Sequence, residues 1–322
     1  MSRVATTKTQ ADPVGSRAAE GDTSSFAYGP DGTRLFVRSR PGPVTPAHGR
    51  GLPAEGAAPV TAILSDGILC DGFIWKYAWQ DLAPLVPLSH WHYRGHGRSA
   101  PPADAGRIDI AAHAADLAAV RLHVGDPPCV LFGHSMGCQV ALEAYRQRPD
   151  RVRGLVLLCG SFGNVTSTFQ GIPLLELVLP RLVALAEKAP DVVRAVWSRL
   201  PPALSLKLAL RAGEIDPERV HAEDMLPYLS HMTHVDFPMF LRMLRAAGEH
   251  TAGDILAHVE VPVLVVAGER DSFTPAFLAS AMAATLPKGE LFMVPRGTHV
   301  APIEQPELVD ARIASFLRDR VL

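Results

Sequence analysis

Val130-Leu131-Phe132-Gly133-His134-Ser135-Met136-Gly137 decides the fold. Its first three residues are wholly apolar, as in a strand covered on both faces. Met136 to Arg148 has the pattern of a helix, so Gly133 to Gly137 is a strand-to-helix turn with a serine at its apex. The G-x-S-x-G pattern decides little alone; the strand before it and the helix after it give it meaning. Glycines suit the two flanking positions because side chains there would clash in a strained turn. The turn also offers the serine oxygen to a helix N-terminus, whose partial positive charge favours an oxyanion.

Outward from this turn, strand-like and helix-like segments alternate. Short apolar runs lie at Val60 to Leu64, Leu155 to Leu158, Val263 to Val266 and Leu291 to Val294. Helical stretches lie at Ile110 to Val124, Ala276 to Leu286 and Pro306 to Arg318. This is the alternation of an α/β fold, a parallel sheet with crossover helices. Upstream, Ser25 to Tyr28 and Arg34 to Arg38 flank Gly29-Pro30-Asp31-Gly32 and predict a hairpin at a sheet edge. Pro41 to Pro59, rich in Pro, Gly and Ala, predicts a surface loop. Residues 1–22 are polar and small without periodicity, which predicts a disordered N-terminal tail.

Between Gly160 and Val261 about a hundred residues carry a Leu-rich helical pattern, several prolines and no convincing strand. The segment reads as a helical insertion. It is either a further packing layer or a lid over the carboxyl ends of the strands, where open α/β sheets bind ligands; its place straight after a strand end favours the lid. The expected organisation is a core of residues 23–160 and 251–322 with a helical cap at 161–250.

Composition narrows the function. The chain has 322 residues, 48% hydrophobic and 20% charged, and a formal net charge of -2. It reads as globular, with no basic excess to suggest nucleic acid. Cys70, Cys129, Cys138 and Cys159 show no paired zinc-binding spacing and read as buried thiols in a reducing compartment. The N-terminus lacks the 7 to 15 residue apolar core of a signal peptide, so cytoplasmic localisation is expected. The longest apolar stretch, Ile172 to Ala186, is broken by Glu176, Pro180 and Arg181 and is shorter than the ~20 residues of a bilayer span. No transmembrane segment is expected.

A serine hydroxyl is a poor nucleophile at neutral pH; it needs a base, and the base needs a group that fixes its tautomer. With the acid expected to end a later strand and the base to follow the last one, Asp271 in Gly268-Glu269-Arg270-Asp271 is the expected acid. Glu269 is its rival, and either could be a solvated loop carboxylate. Among thirteen histidines, His299 occupies the loop after the last apolar run and is the expected base. A lone loop histidine is usually solvated, but this one follows a serine and an aspartate in the right order. Two backbone N–H groups would stabilise the oxyanion. Met136 supplies one. Ser65-Asp66-Gly67-Ile68 makes Ile68 the candidate for the other, with Leu69 the runner-up.

These residues resemble the α/β-hydrolase superfamily, in its lid-bearing serine hydrolase branch of carboxylesterases, lipases, lactonases, haloperoxidases and carbon-carbon bond hydrolases. Tyr93-Arg94-Gly95-His96-Gly97-Arg98-Ser99 is similar to that branch's R-G-x-G-x-S turn after its fourth strand. The resemblance covers about residues 23 to 322. It implies a mostly parallel twisted sheet of about eight strands with flanking helices and a helical cap inserted after strand 6. One departure stands out: Asp66-Gly67 replaces the family's common His-Gly in the oxyanion loop. Dehalogenases and epoxide hydrolases of this superfamily use an aspartate nucleophile, which Ser135 argues against.

The implied chemistry is hydrolysis of a carboxylic ester with an apolar acyl or alcohol group through an acyl-enzyme, without cofactor or metal. A lactone, a thioester or a carbon-carbon bond could be cleaved by the same triad, and a slow ligand-binding receptor could keep the fold. The expected pocket includes Leu69, His134, Phe240 and Val300, with Leu174, Leu175, Leu177 and Leu179 adding apolar character to the lid. The expected partner is a small apolar ester, and a homodimer is left open. His231, His234 and Asp236 stand at H-x-x-H-x-D spacing but lack a further strong ligand set, and read as a helix face rather than a metal site. Gly95-His96-Gly97 reads as a turn rather than a dinucleotide site.

Overall fold

The computed structural model describes residues 21–43, 58–164, 174–199, 201–212 and 215–322, and leaves the side chains of 174–176, 208–209 and 211–212 undescribed. Almost all of the expected tail, the centre of the expected Pro41 to Pro59 loop, and the Leu174 and Leu175 side chains fall outside the described residues.

Eight strands form one sheet in the order β1-β2-β4-β3-β5-β6-β7-β8. They are β1 (Thr23–Tyr28), β2 (Arg34–Arg40), β3 (Thr61–Ser65), β4 (Leu88–Trp91), β5 (Cys129–His134), β6 (Val152–Leu158), β7 (Val263–Gly268) and β8 (Gly289–Val294). The hairpin β1-β2 and the pair β2-β4 are antiparallel; every other pair is parallel. Asp22 accepts hydrogen bonds from Arg38 Nε (3.1 Å) and Arg40 Nε (2.6 Å), which fastens the start of β1 to β2.

The apolar runs divide residue by residue between two cores. Ile63, Leu131, Leu155, Leu157 and Val265 face one cluster; Leu64, Val130, Phe132, Val156 and Val266 face the other. The period of two is hidden in sequence because both faces are covered. On one side lie α2 (Ile110–His123), α3 (Met136–Gln147) and α9 (Ala276–Thr285); α10 (Ala301–Glu304) and α11 (Pro306–Phe316) lie on the other. Asp109 caps α2 by accepting from Ala112 N.

β4 is absent from the apolar runs because Ser89 and His90 interrupt it, yet all four of its residues are buried. His90 Nε2 lies 2.8 Å from Asp66 Oδ2, and the Ser89 and Ser39 hydroxyls lie 3.2 Å apart, so the polar atoms are paired rather than solvated.

Between β6 and β7 the described residues form α4 (Leu174–Lys188), α5 (Pro190–Trp197), α6 (Pro202–Ala212), α7 (Ala222–Met232) and α8 (Phe237–Glu249). Leu179, Val183, Ala186 and Leu241 make a separate small core within this insertion. Part of its leucine content is thus spent on its own packing, while Leu177 is 63% exposed. Phe73 stacks on Tyr228 with ring centroids 4.0 Å apart, and Lys76 pairs with Asp224, joining α7 to the sheet side. At its base the insertion closes with an antiparallel bridge between Gly163 and Thr251 and an Ala252 N to Phe162 O bond of 2.7 Å. No described helix is long and apolar enough to cross a membrane, and all four cysteines are buried and free.

Asp310 of α11 is buried, and its Oδ2 has no hydrogen-bond partner among the described residues. Burial, then the charge of Asp81 at the end of α1 (Ala78–Asp81), pushes its carboxyl up to about 7. An acid whose folded pKa lies above its unfolded value of about 3.9 costs stability as pH rises from that value towards 7. Asp310→Asn is therefore expected to raise stability by about 1–3 kcal/mol at pH 8, with the gain shrinking towards pH 5. Urea denaturation at both pH values checks this; an equal gain at each would contradict the buried-charge account.

Candidate active site

The serine turn is shaped by lack of space. Ser135 has φ 55° and ψ -119°, outside the ordinary regions for a residue with a side chain. A Cβ on Gly133 would lie 2.2 Å from Gly137 O, and one on Gly137 would lie 2.4 Å from Ser65 O. Ser135 N donates to Leu158 O at 3.0 Å and Cys138 N donates to Ser135 O at 3.0 Å, pinning the turn to β6 and opening α3.

Two distant loops complete the arrangement. His299, in the turn after β8, places Nε2 2.9 Å from Ser135 Oγ and Nδ1 2.9 Å from Asp271 Oδ2. A carboxylate only accepts, so His299 Nδ1 carries the proton and the Nε2 lone pair receives the serine O–H. Asp271, in the loop after β7, also accepts from Phe273 N and Thr274 N at 2.9 Å and from Thr274 Oγ1 at 2.8 Å. Ser135 and His299 are half-buried while Asp271 is buried. Glu269, the alternative acid, is exposed and accepts from Arg296 N at 2.8 Å instead.

Further groups hold the histidine. His134 Nε2 lies 3.0 Å from His299 O, and since a carbonyl only accepts, His134 donates. Burial, reinforced by nearby His299, pushes the His134 imidazole down to about 3, so it is neutral. Phe273 stacks on His299 with centroids 4.9 Å apart. Buried Glu304 accepts from Thr298 N and Thr298 Oγ1 at 2.7 Å, and from Asp216 N in the insertion at 2.9 Å. One carboxylate thus ties the histidine turn to the helical insertion. Thr274 carried a readable signal, an Asp followed three residues later by Thr, the spacing of a local side-chain turn. Glu304 carried none, and His134, expected to line a pocket, donates to the His299 carbonyl.

The loop after β3 lies against Gly137, with Ser65 O and Asp66 O closest to where its Cβ would be. Asp66 Oδ1 accepts from Trp75 Nε1 at 2.8 Å, its Oδ2 pairs with His90 Nε2, and Tyr93 Oη donates to Asp66 O at 2.8 Å. Ile68 is half-buried. Leu69, the alternative donor, gives its N–H to His96 Nε2 at 3.3 Å.

The expected pocket residues are more dispersed. Leu69 packs in one main core and Val300 in the other, Phe240 lies in an aromatic group with Trp197 and Phe237 of the insertion, and His134 lies against His299. His231, His234 and Asp236 point to different partners: His231 Nδ1 lies 3.5 Å from Asp71 Oδ2, His234 Nδ1 lies 2.8 Å from Ser230 O, and Asp236 caps α8. Only His231 of the three is within a helix. Among the described residues no group of three or more possible ligands could hold a metal.

Comparison with known proteins identifies the fold. A family model for the alpha/beta hydrolase fold matches residues 75–306. The chain is 27% identical over 205 residues to the uncharacterized hydrolase YugF of Bacillus subtilis, covering 61% of this chain and 67% of YugF. It is 32% identical over 153 residues to lipase LipV of Mycobacterium tuberculosis, covering 47% of this chain and 57% of LipV. An esterase from Exiguobacterium antarcticum superposes with a TM-score of 0.69 at 18% identity, over 92% of this chain and all of that one, a likeness of fold.

Asp271→Asn would keep the shape but lets an amide N–H face His299, favouring the wrong tautomer. Reaction of Ser135 with a fluorophosphonate is expected to slow roughly a thousandfold or more while the melting temperature moves by only a few degrees. An unchanged labelling rate would show that the carboxylate does not set the state of His299.

Proposed function

The chain belongs to the α/β-hydrolase fold family, and from that premise we propose that it hydrolyses a carboxylic ester bearing an apolar acyl or alcohol group. The single observation that carries this reading is the unbroken relay from Asp271 through His299 to Ser135, with 2.9 Å at each link. Ser135 Oγ attacks the ester carbonyl as His299 Nε2 takes its proton. Asp271 steadies the imidazolium and holds its orientation. The carbonyl oxygen, now negative, receives the N–H groups of Met136 at the start of α3 and Ile68 after β3. Collapse of this intermediate returns the proton from His299 to the departing alcohol and leaves an acyl group on Ser135. Water, activated by the same His299, attacks the acyl carbonyl; the acid leaves, and Ser135 regains its proton.

The helices between β6 and β7 act in this reading as a cap that keeps water from the acyl chain. Leu69, His134, Phe240 and Val300 line the chain's pocket. Attachment through Asp224, Tyr228 and Glu304 makes α7 and the histidine turn the fixed side of that cap.

A p-nitrophenyl ester series from acetate to palmitate tests the proposal. The wild-type protein is expected to turn over at least one member, and Ser135→Ala to lose roughly ten-thousandfold in kcat. Phe240→Ala is expected to move the preferred chain length. A folded wild type inactive on every ester would overturn the ester reading in favour of a lactone, thioester or carbon-carbon substrate.

A further inference from the structure

Resting on the ester reading, and on Ile68 as an oxyanion donor, the geometry points to His96 as a positioning residue for the oxyanion loop: its Nε2 lone pair holds the Leu69 N–H and so directs the neighbouring Ile68 N–H at the reacting carbonyl.

Leu69 has φ 64°, a left-handed conformation that a residue with a side chain adopts only when its surroundings impose it. It is buried, so its N–H must find an acceptor inside the protein. That acceptor is His96 Nε2 at 3.3 Å. The other ring nitrogen, Nδ1, lies 3.0 Å from the carbonyl oxygen of Arg94. A carbonyl cannot donate, so Nδ1 carries the proton and Nε2 is left with the lone pair that Leu69 requires. His96 is 1% exposed, and burial lowers its pKa, which keeps the ring in the neutral form that can accept.

Two more side chains from the same strand and turn grip the loop from its other end. His90 and Tyr93 hold the carboxylate and the carbonyl of Asp66. Residues 90, 93 and 96 thus bracket Ile68, two securing Asp66 before it and one securing Leu69 after it. Cys70 Sγ, 3.5 Å from Ile68 O, is a further contact on that residue's carbonyl side. The turn itself is closed by Cys70 N–H on Gly67 O at 3.3 Å, and within it His96 is the side chain that takes the Leu69 N–H, the group immediately following Ile68.

The test compares wild type with His96→Phe, which keeps a planar ring without an acceptor, and His96→Gln, whose amide oxygen can accept. Ester kcat and KM, the affinity of an alkyl boronic acid that mimics the tetrahedral state, and the melting temperature are measured on each. For H96F the expected result is a fall in kcat of about 10- to 100-fold with KM within twofold, and a matching loss of boronate affinity. H96Q is expected to recover most of both. An H96F protein that keeps wild-type kcat and boronate affinity overturns the inference and leaves the ester reading standing. So does a loss in H96F that H96Q shares in full, which would mark a packing role alone. Should H96F fail to fold, H96Q decides: kcat within about threefold of wild type is expected, and a folded H96Q with a 100-fold loss overturns the inference. A wild type that neither turns over an ester nor binds the boronate overturns the ester reading and this inference together.

Discussion

Residues 133 and 137 have no room for a Cβ, and most of the site's geometry follows from that exclusion. Gly133 lets the end of β5 turn within van der Waals distance of the first turn of α3. Gly137 lets that turn press on the backbone of Ser65 and Asp66 at the end of β3. The serine turn and the loop after β3 are therefore in backbone contact, and their separation is set by main-chain atoms rather than by flexible side chains. The unfavourable φ of Ser135 costs on the order of 1–3 kcal/mol. Burying a Leu, Val or Phe contributes about 1.5–3 kcal/mol. Flanking strands β3, β5 and β6 bury many such side chains, so the sheet can impose the strained turn and remain stable.

In the loop after β3, polarity is arranged around the carboxylate of Asp66. Asp66 can only accept, and its surroundings are matched to that fact: the Trp75 indole N–H addresses one oxygen and His90 the other. A buried carboxylate oxygen without a donor would cost more than the 1–3 kcal/mol of an ordinary orphaned polar group. Residues 66, 75 and 90 therefore form one unit, and none of them can change its hydrogen-bonding character without the others. This unit keeps the Asp66 carboxylate on its partners.

The parts of this molecule that could be read in sequence are those in which neighbouring residues carry the signal. The apolar run before Ser135, the glycines around it, and the strand-then-carboxylate and strand-then-histidine pairs are all local. β4 was not legible as an apolar run because Ser89 and His90 look like surface residues until their partners, Ser39 and Asp66, are known. Asp271 and Glu269 differ by two residues of loop path, and that path puts Asp271 Oδ2 2.9 Å from His299 Nδ1 while Glu269 accepts from Arg296 N. Leucines in the insertion gave an ambiguous signal, since the same residue type serves an internal core at Leu179 and an exposed surface at Leu177. Tyr93 and His96 fall in the turn motif at 93–99, but that the motif and His90 hold the loop at 66–69 depends on β4 lying beside β3 in the sheet, which no local pattern carries.

The chain leaves the sheet at Phe162 and Gly163 and returns at Thr251 and Ala252, and these two exits are hydrogen-bonded to each other. To the sheet, everything in between is a loop whose ends are already joined. The entropy of closing such a loop grows only with the logarithm of its length, about 0.6 kcal/mol for each doubling. Segments of very different size and shape can therefore be grafted at this doorway with little penalty to the core. In this molecule the segment between β6 and β7 is a replaceable cassette, while Ser135, Asp271 and His299 stay on a frame that does not register the exchange.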